Sequence, residues 1–252
     1  MSTSVVTPAT TAQLRSYDIL GETVTIPVRV RSARMAAATY LVDADAAQSI
    51  IDHTGLSVSR KRRSRAIVAL ALVRYVDSDL GEYNELGLTF VVDDPVGAPP
   101  TGRGSVATYI HRLPVNQAFT CAAGQQIWGF PKWVSDLDVS FGRTGVTALL
   151  RGDEGQELVR VELAPGRIPT PSKPMEMVCY SNGPSGEILR TSWKTDNRGS
   201  TMRPRGARVT IGNGHVLCDE MRTLGLGDRP ALLCAHAEQM RATFSAPELI
   251  RP

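Results

Sequence analysis

Short segments in which apolar and polar residues alternate make up much of this chain, and they set the strongest limit on its fold. A period of two is typical of strands that bury one face, and apolar runs rich in β-branched residues are typical of fully buried strands. Helical segments do not alternate with them as in a βαβ fold, which disfavours a doubly wound parallel sheet. We therefore predict a mainly β fold, a sandwich or barrel with few helices. The predicted strands lie at about residues 65–77, 80–94, 107–116, 134–141, 145–153, 157–165, 175–182, 188–195 and 207–214.

Helices are few in this prediction. One helix is predicted to begin after Asp43, which can serve as its N-cap, and to end at Gly55. Residues 118–130 predict a short Ala-rich helix or an irregular turn, and residues 229–244 predict a C-terminal helix. Residues 21–42 predict two strands joined by a turn near Ser32 to Arg34.

The 252 residues are compatible with one large domain or two small ones. Residues 1–15 are rich in Ser, Thr and Ala, which predicts a flexible N-terminal tail. No internal repeat or linker divides the remainder. Residues 16–252 are therefore predicted to form a single domain.

Charge and motif content disfavour several function classes. A net charge of +3 is too small to indicate a nucleic-acid partner. No apolar run approaches the ~18 residues of a membrane helix, and the N-terminus lacks a secretory pattern, so we expect a cytoplasmic protein with no membrane partner. The four cysteines and four histidines lack metal-binding spacing, so we expect no metal and no cofactor.

Lysine is scarce in this sequence. The 28 basic residues include only four lysines, Lys61, Lys132, Lys173 and Lys194, and the rest are arginines. An arginine side chain does not lose its proton in proteins, so only a lysine provides a neutral amine. Lys132 lies in the aromatic stretch over residues 124–133, and this context makes it the lysine of most interest.

Two roles are possible for Lys132, which follows a proline and lies between Trp128 and Trp133. Burial among apolar rings favours the neutral amine that attacks a ketone. The iminium formed would draw electrons from the α-carbon of the substrate. The alternative is a surface lysine whose stem packs on the tryptophan faces while its ammonium group reaches water.

A carboxylate lies in another predicted strand. Side chains alternate between faces, so Tyr83 and Glu85 share one face, and Glu82 and Asn84 share the other. If Tyr83 and Glu85 face the interior, Glu85 is a carboxylate in apolar surroundings, which suits acid–base chemistry. The alternation alone leaves a solvent-facing Glu85 equally open.

These residues carry a family resemblance. The pattern G-x-x-I-x-x-F-P-K is present at residues 124–132, and L-G-x-Y-x-E at residues 80–85. Tyr109 and His111 match a third, Y-x-H pattern. Over roughly residues 15–250 the chain resembles the acetoacetate decarboxylase superfamily.

The resemblance implies an antiparallel β-barrel or cone with peripheral helices that assembles as a homo-oligomer. It implies that Lys132 forms a Schiff base with a small keto substrate and that Glu85 is the second catalytic residue. We expect the following side chains to bind substrate: Tyr83, Trp128, Phe130, Trp133, Gln126, His111 and Leu41.

The chain departs from the family pattern at several polar positions. Trp133 replaces a second lysine, Leu41 replaces an arginine, and Gln125 and Gln126 replace an acidic and basic pair. These changes predict an enlarged apolar pocket that would suit a larger or more hydrophobic ketone, with Met35 as a further wall residue.

The sequence therefore predicts a lyase that decarboxylates a β-keto acid through an iminium on Lys132. One alternative is an aldolase-dehydratase or cyclase that uses the same iminium, in secondary metabolism. A second alternative is a barrel that binds a hydrophobic ligand without chemistry.

Overall fold

The computed structural model describes residues 15–61, 64–96, 106–172 and 174–250. Strands dominate this part of the chain, as predicted. The helices are α1 (Ala44–Ile51), α2 (Ala118–Trp128) and α3 (Val216–Thr223). The strands are β1 (Arg15–Ile19), β2 (Glu22–Ile26), β3 (Val28–Asp43), β4 (Arg65–Ser78), β5 (Tyr83–Val91), β6 (Ala107–Val115), β7 (Lys132–Val134), β8 (Asp136–Gly142), β9 (Gly145–Arg151), β10 (Glu157–Leu163), β11 (Ile168–Pro169), β12 (Met175–Asn182), β13 (Ile188–Pro204), β14 (Ala207–Ile211), β15 (Leu233–Phe244) and β16 (Glu248–Ile250).

Seven strands form a closed, barrel-like ring in the order β13-β12-β6-β5-β4-β3-β15, and pairing of β15 with β13 completes it. Every neighbouring pair in the ring is antiparallel except β12 and β6, which run parallel. Closure leaves no free edge along the ring, so the backbone groups of its long strands find partners on both sides.

A four-stranded antiparallel sheet, β14-β10-β9-β8, packs against the ring. Its apolar side chains share one core with α1, α3 and residues of β3, β4 and β5. Leu70 and Phe90 of the ring and Leu150 of the second sheet are completely buried in this core. We call this group of residues the outer core.

A second apolar cluster, the inner core, includes Val73 of β4, Ile110 of β6 and Phe244 of β15. The β1–β2 hairpin adds Ile19 and α2 adds Trp128 to the same cluster. Val73 and Tyr75 of β4 belong to the inner core, and Leu70 and Leu72 belong to the outer core, as strand alternation requires.

The prediction of a C-terminal helix over residues 229–244 is wrong, because this segment contains the strand β15. Ala235, Glu238 and Met240 have good helix propensity, yet β15 pairs with β3 on one edge and β13 on the other. Tertiary pairing outweighs local propensity here. Ala237 and Ala242 are buried in the ring, where their small side chains fit.

The turn predicted near Ser32 to Arg34 is also wrong. β3 continues through it, with register shifts against β4 between Val30 and Ala33. Helix α1 is confirmed, with Asp43 as the N-cap that accepts hydrogen bonds from the backbone of Asp45 and Ala46. Helix α3 was not predicted.

The predicted tail lies outside the described residues except for Arg15, which begins β1. That residues 16–252 form a single domain stays a prediction. In the described part of the chain, no helix has the length and apolar character needed to cross a membrane.

Replacement of Leu70 by alanine tests the outer core. Leu70 is completely buried, so we expect Leu70→Ala to lower the free energy of unfolding by about 2–5 kcal/mol. Val76 lies on the same strand but is 45% exposed, so Val76→Ala is the matched control and should change it by less than about 0.5 kcal/mol. Urea denaturation measures both, and equal losses would contradict this core assignment.

Candidate active site

Lys132 is the first residue of β7, directly after the turn that ends α2. Gly129 ends the helix with a φ of 61°, and a Cβ there would lie 2.5 Å from the carbonyl oxygen of Asn182. Gln125 Nε2 donates a hydrogen bond to the carbonyl oxygen of Lys132 at 2.7 Å, and β7 then pairs in parallel with β6. The turn and this pairing fix where the lysine side chain starts.

The amine of Lys132 lies against Glu85. Nζ is 2.9 Å from Glu85 Oε2, and it also donates a hydrogen bond to Thr120 Oγ1 at 3.1 Å. All three residues are buried, with Lys132 6% and Glu85 5% exposed. A charged pair removed from water needs such additional hydrogen bonds to be tolerated. The surface location that the sequence left open for Lys132 is therefore excluded.

Gly124 makes room for the lysine. A Cβ at this position of α2 would lie 2.6 Å from Cδ and 2.8 Å from Cε of Lys132. Real Cβ atoms do not approach other atoms this closely. The glycine therefore lets the lysine stem pass against the helix on its way to Glu85.

Tyr75 and Tyr83 lie around Glu85, the other member of the pair. The Tyr75 hydroxyl donates to Glu85 Oε1 at 3.1 Å, which leaves Oε2 to face the lysine. Tyr83 stacks on Tyr75 with ring centroids 4.1 Å apart, and Lys132 Nζ lies 5.0 Å from the centre of the Tyr83 ring. At this distance the ring attracts a cation on the lysine nitrogen.

Burial, followed by the nearby Glu85 charge, raises the pKa of both Tyr75 and Tyr83 well above the usual value. Both phenols therefore keep their protons at neutral pH and act as donors. Burial also raises the pKa of the Cys179 thiol to about 12, so this neighbouring sulfur stays protonated as well. A protonated thiol is a poor nucleophile.

The side chains around the pair enclose a cavity. About 20 Å³ is open to the centres of water molecules, which is room for about one water. This volume contradicts the enlarged pocket expected from the sequence. The lining residues are Tyr75, Leu80, Tyr83, Glu85, Leu113, Trp128, Phe130, Lys132, Trp193 and Phe244.

Five predicted site residues therefore meet here: Lys132, Glu85, Tyr83, Trp128 and Phe130. The other four do not line the cavity, and neither does Met35, which packs at the margin of the inner core. Each of the four is placed elsewhere by its own local structure.

Trp133 follows Lys132 in a strand, so its side chain lies on the opposite face. There it packs against the outer core and stacks on His215, with ring centroids 5.5 Å apart. Gln126 is exposed on α2. Leu41 is 37% exposed and pairs with Ile67, six residues along β4 from the partner of Glu85, which is about 20 Å away.

His111 is turned away by a β-bulge. Leu88 pairs with Arg112 and Thr89 with Ile110, so His111 is the extra residue of β6. Its Nε2 lies 3.0 Å from Glu220 Oε1 of α3, and Arg112 holds the same carboxylate with Nε–Oε2 at 2.9 Å and Nη2–Oε1 at 2.5 Å. The bulge thus aims both residues at the helix.

The sequence interpretation missed Thr120, Tyr75, Trp193 and Phe244 as site residues. Trp193 was recognised only as part of an alternating strand. The charged Lys194 next to it in an alternating segment was the available signal, because it places the indole on the opposite face of the strand. Among the described residues, no three His, Cys, Asp or Glu side chains are arranged to hold a metal ion.

Comparison with known proteins agrees with this fold. The structure resembles acetoacetate decarboxylase from Legionella pneumophila, with a TM-score of 0.67 and 14% identity over 98% of this chain and 93% of that one. It also resembles the enduracididine biosynthesis enzyme MppR with bound HEPES buffer, with a TM-score of 0.61 and 16% identity over 89% and 87% of the two chains. Curated protein sequences contain no significant match.

A barrel-like ring with a buried lysine and carboxylate is thus the framework of this site. The family model for acetoacetate decarboxylase matches residues 20–199, well over half of the chain. The chain belongs to the acetoacetate decarboxylase family.

The contacts of Glu220 with His111 and Arg112 can be tested through the pH dependence of stability. Hydrogen bonds from Arg112 and His111 overcome the opposing effect of burial, the largest single influence, and lower the pKa of Glu220 to about 2. A lowered carboxyl pKa stabilises the fold above the unfolded-state value near 4.5, and this stabilisation is lost as the pH falls toward 2.

We therefore expect Glu220→Gln to lower the free energy of unfolding by a constant amount from pH 7 to about pH 4.5. Below about pH 4.5 this decrease should become smaller. Urea denaturation at stepped pH measures this. Glu82→Gln, at an exposed glutamate 3.9 Å from Arg74, is the control and should have little effect. A difference that grows below pH 4.5 would contradict the assignment.

Proposed function

We propose that this protein is a lyase in which Lys132 forms a Schiff base with a small keto acid, and that the reaction is decarboxylation of a β-keto acid. The observation that supports this proposal best is the buried contact of 2.9 Å between Lys132 Nζ and Glu85 Oε2 in an apolar cavity. An amine of this kind, next to a proton acceptor, meets the requirements of a nucleophile that attacks a carbonyl carbon.

In the first half of the reaction, Glu85 takes a proton from the Lys132 ammonium group, and the neutral amine attacks the carbonyl carbon. Glu85 passes this proton to the carbonyl oxygen, then carries a second proton from the bound nitrogen to the same oxygen, which leaves as water. The Tyr75 hydroxyl keeps Oε1 of the carboxylate in place, so Oε2 serves both transfers.

In the second half, the bond between the α-carbon and the carboxylate breaks, and carbon dioxide leaves. The electron pair of that bond moves toward the iminium nitrogen and forms an enamine. A proton from Glu85 or water then adds to the α-carbon. Hydrolysis of the resulting iminium releases the ketone and restores the amine of Lys132.

The cavity wall supports these steps. The face of Tyr83, 5.0 Å from Nζ, favours the positive charge of the iminium. Trp128 and Phe130 exclude water, and together with Tyr83 they are proposed to contact the substrate. Because the cavity holds about one water, a substrate enters only if lining side chains move. We therefore propose a small substrate rather than a large hydrophobic one.

Aldol addition and dehydration on the same iminium is a second candidate. Two observations favour it. In the part of the chain that the structure describes, no arginine lines the cavity, although family decarboxylases are expected to use one. A structure of MppR in complex with the condensation product of pyruvate and imidazole 4-carboxaldehyde resembles this chain, with a TM-score of 0.59 and 15% identity over 88% of each chain. Homo-oligomer formation and a cytoplasmic location remain predictions.

Borohydride trapping tests the nucleophile. Incubation with acetoacetate or pyruvate and borohydride should add one substrate-derived mass to Lys132, located by peptide mass spectrometry. Lys132→Arg should abolish this adduct and turnover, because a guanidinium group is not a neutral nucleophile. Lys194→Arg, at an exposed lysine, is the matched control and should retain both. Absence of an adduct at Lys132 with every keto compound would reject the proposal.

Gly124→Ala tests the passage of the lysine past α2. The new Cβ displaces the Lys132 stem from its buried contact with Glu85, so trapping should fall at least tenfold and stability should fall as well, despite the better helix propensity of alanine. Ala122→Gly, on the same helix outside the cavity wall, is the control: it should lower stability by about 0.8–1 kcal/mol and retain trapping. Trapping at the wild-type rate in Gly124→Ala would contradict the steric account.

A further inference from the structure

The indole nitrogen of Trp193 is buried. Trp193 itself is half-buried, whereas the other described residues that line the cavity are buried, so part of its ring reaches the surface. Its Nε1 atom nevertheless has no contact with solvent and no hydrogen-bond partner among the described residues. A tryptophan at a surface normally directs its N–H to water or to a protein acceptor.

The neighbouring Trp128 shows the contrast. It lines the same cavity, and its Nε1 donates a hydrogen bond to the carbonyl oxygen of Ser245 at 2.9 Å. The Trp193 ring is held instead by Phe244, with centroids 4.5 Å apart and an interplanar angle of 80°. The indole is thus fixed by ring packing while its donor remains unused.

The unused donor is part of a row along β13. Thr191, Trp193, Thr195 and Asn197 follow one another at every second position, so they share the inward face of the ring. Each of these side chains has a buried polar atom without a hydrogen-bond partner in the described chain. Buried polar groups in proteins are rarely left unpaired, so each of these atoms needs a partner that the described chain does not supply.

The charged residues of the cavity wall indicate which functional group of a ligand would accept this hydrogen bond. Among the described residues that line the cavity, only Lys132 and Glu85 are charged, and each faces the other. When Lys132 is engaged with a carbonyl group, no further cation lines the cavity to bind a carboxylate. Besides the Tyr75 and Tyr83 hydroxyls, the wall then provides the Trp193 N–H group as a neutral donor for a negatively charged oxygen, and this donor has no partner among the described residues.

We propose that Trp193 Nε1 donates a hydrogen bond to the carboxylate of a keto acid while its carbonyl group reacts with Lys132. This assignment rests on the proposed Schiff-base function and makes Trp193 a specificity-determining residue for keto acids over neutral ketones. A single neutral donor binds the carboxylate without the strong charge pairing of a guanidinium group, so it opposes loss of carbon dioxide less.

Trp193→Phe removes the N–H group and keeps an aromatic ring against Phe244. We expect the ratio of borohydride trapping rates for acetoacetate and for acetone to fall about tenfold or more, as for loss of a hydrogen bond to a charged group. Trp128→Phe is the matched control: its N–H group is already paired, so it should change both rates by a similar factor. An unchanged ratio in Trp193→Phe would overturn the proposal.

A second readout does not depend on covalent chemistry. In a ¹⁵N–¹H spectrum of the three tryptophan indoles, the Trp193 signal is the one absent in Trp193→Phe. Titration with propionate, an unreactive carboxylate, should move this signal downfield more than the other two. A Trp193 signal that stays in place at saturating propionate and pyruvate means that the N–H group only contacts the Phe244 ring, and the proposal fails.

The two readouts separate the two proposals. If no keto compound is trapped at Lys132 in the unmodified protein, the Schiff-base function fails, and the indole titration still decides whether Trp193 binds a carboxylate. If trapping is normal, Trp193→Phe leaves the ratio unchanged and the Trp193 signal of the unmodified protein does not move with carboxylate, only the role of Trp193 is lost.

Discussion

The contact between Lys132 and Glu85 places the strictest demand on this structure, because two charged groups are removed from water together. Removal of either partner from such a pair typically costs about 3–5 kcal/mol. Four elements share the task of satisfying it. β7 carries the lysine, β5 the carboxylate, β4 the tyrosine that holds Oε1, and α2 the threonine that accepts from the amine. The pair therefore ties α2 to the ring.

Small residues make this arrangement possible where chain segments approach closely. Gly124 allows the lysine stem to pass along α2, and a Cβ at Gly87 in β5 would lie 3.2 Å from Leu113 Cδ1. Ala237 and Ala242 occupy the inward face of β15. The bulky rings of Trp128, Phe130, Trp193 and Phe244 fill the remaining space and leave room for about one water beside the amine.

Features with a local signal in the sequence could be predicted. Asp43 capped α1 as expected, and strand alternation brought Tyr83 and Glu85 to one face. Features that depend on distant pairing could not. β15 is a strand because β3 and β13 pair with both of its edges, and His111 faces Glu220 because of a bulge that appears only against β5. The unpaired Trp193 Nε1 likewise becomes visible only in the assembled ring.

Oxygen exchange tests the central claim, a covalent iminium on Lys132, most directly. When an amine and a ketone form an iminium, the ketone oxygen leaves as water, and hydrolysis replaces it with an oxygen from solvent. Acetone and pyruvate labelled with ¹⁸O at the carbonyl group should therefore lose the label faster with the protein than without it, and Lys132→Arg should remove this acceleration. No acceleration with either compound, or equal acceleration by Lys132→Arg, would contradict an iminium at this lysine.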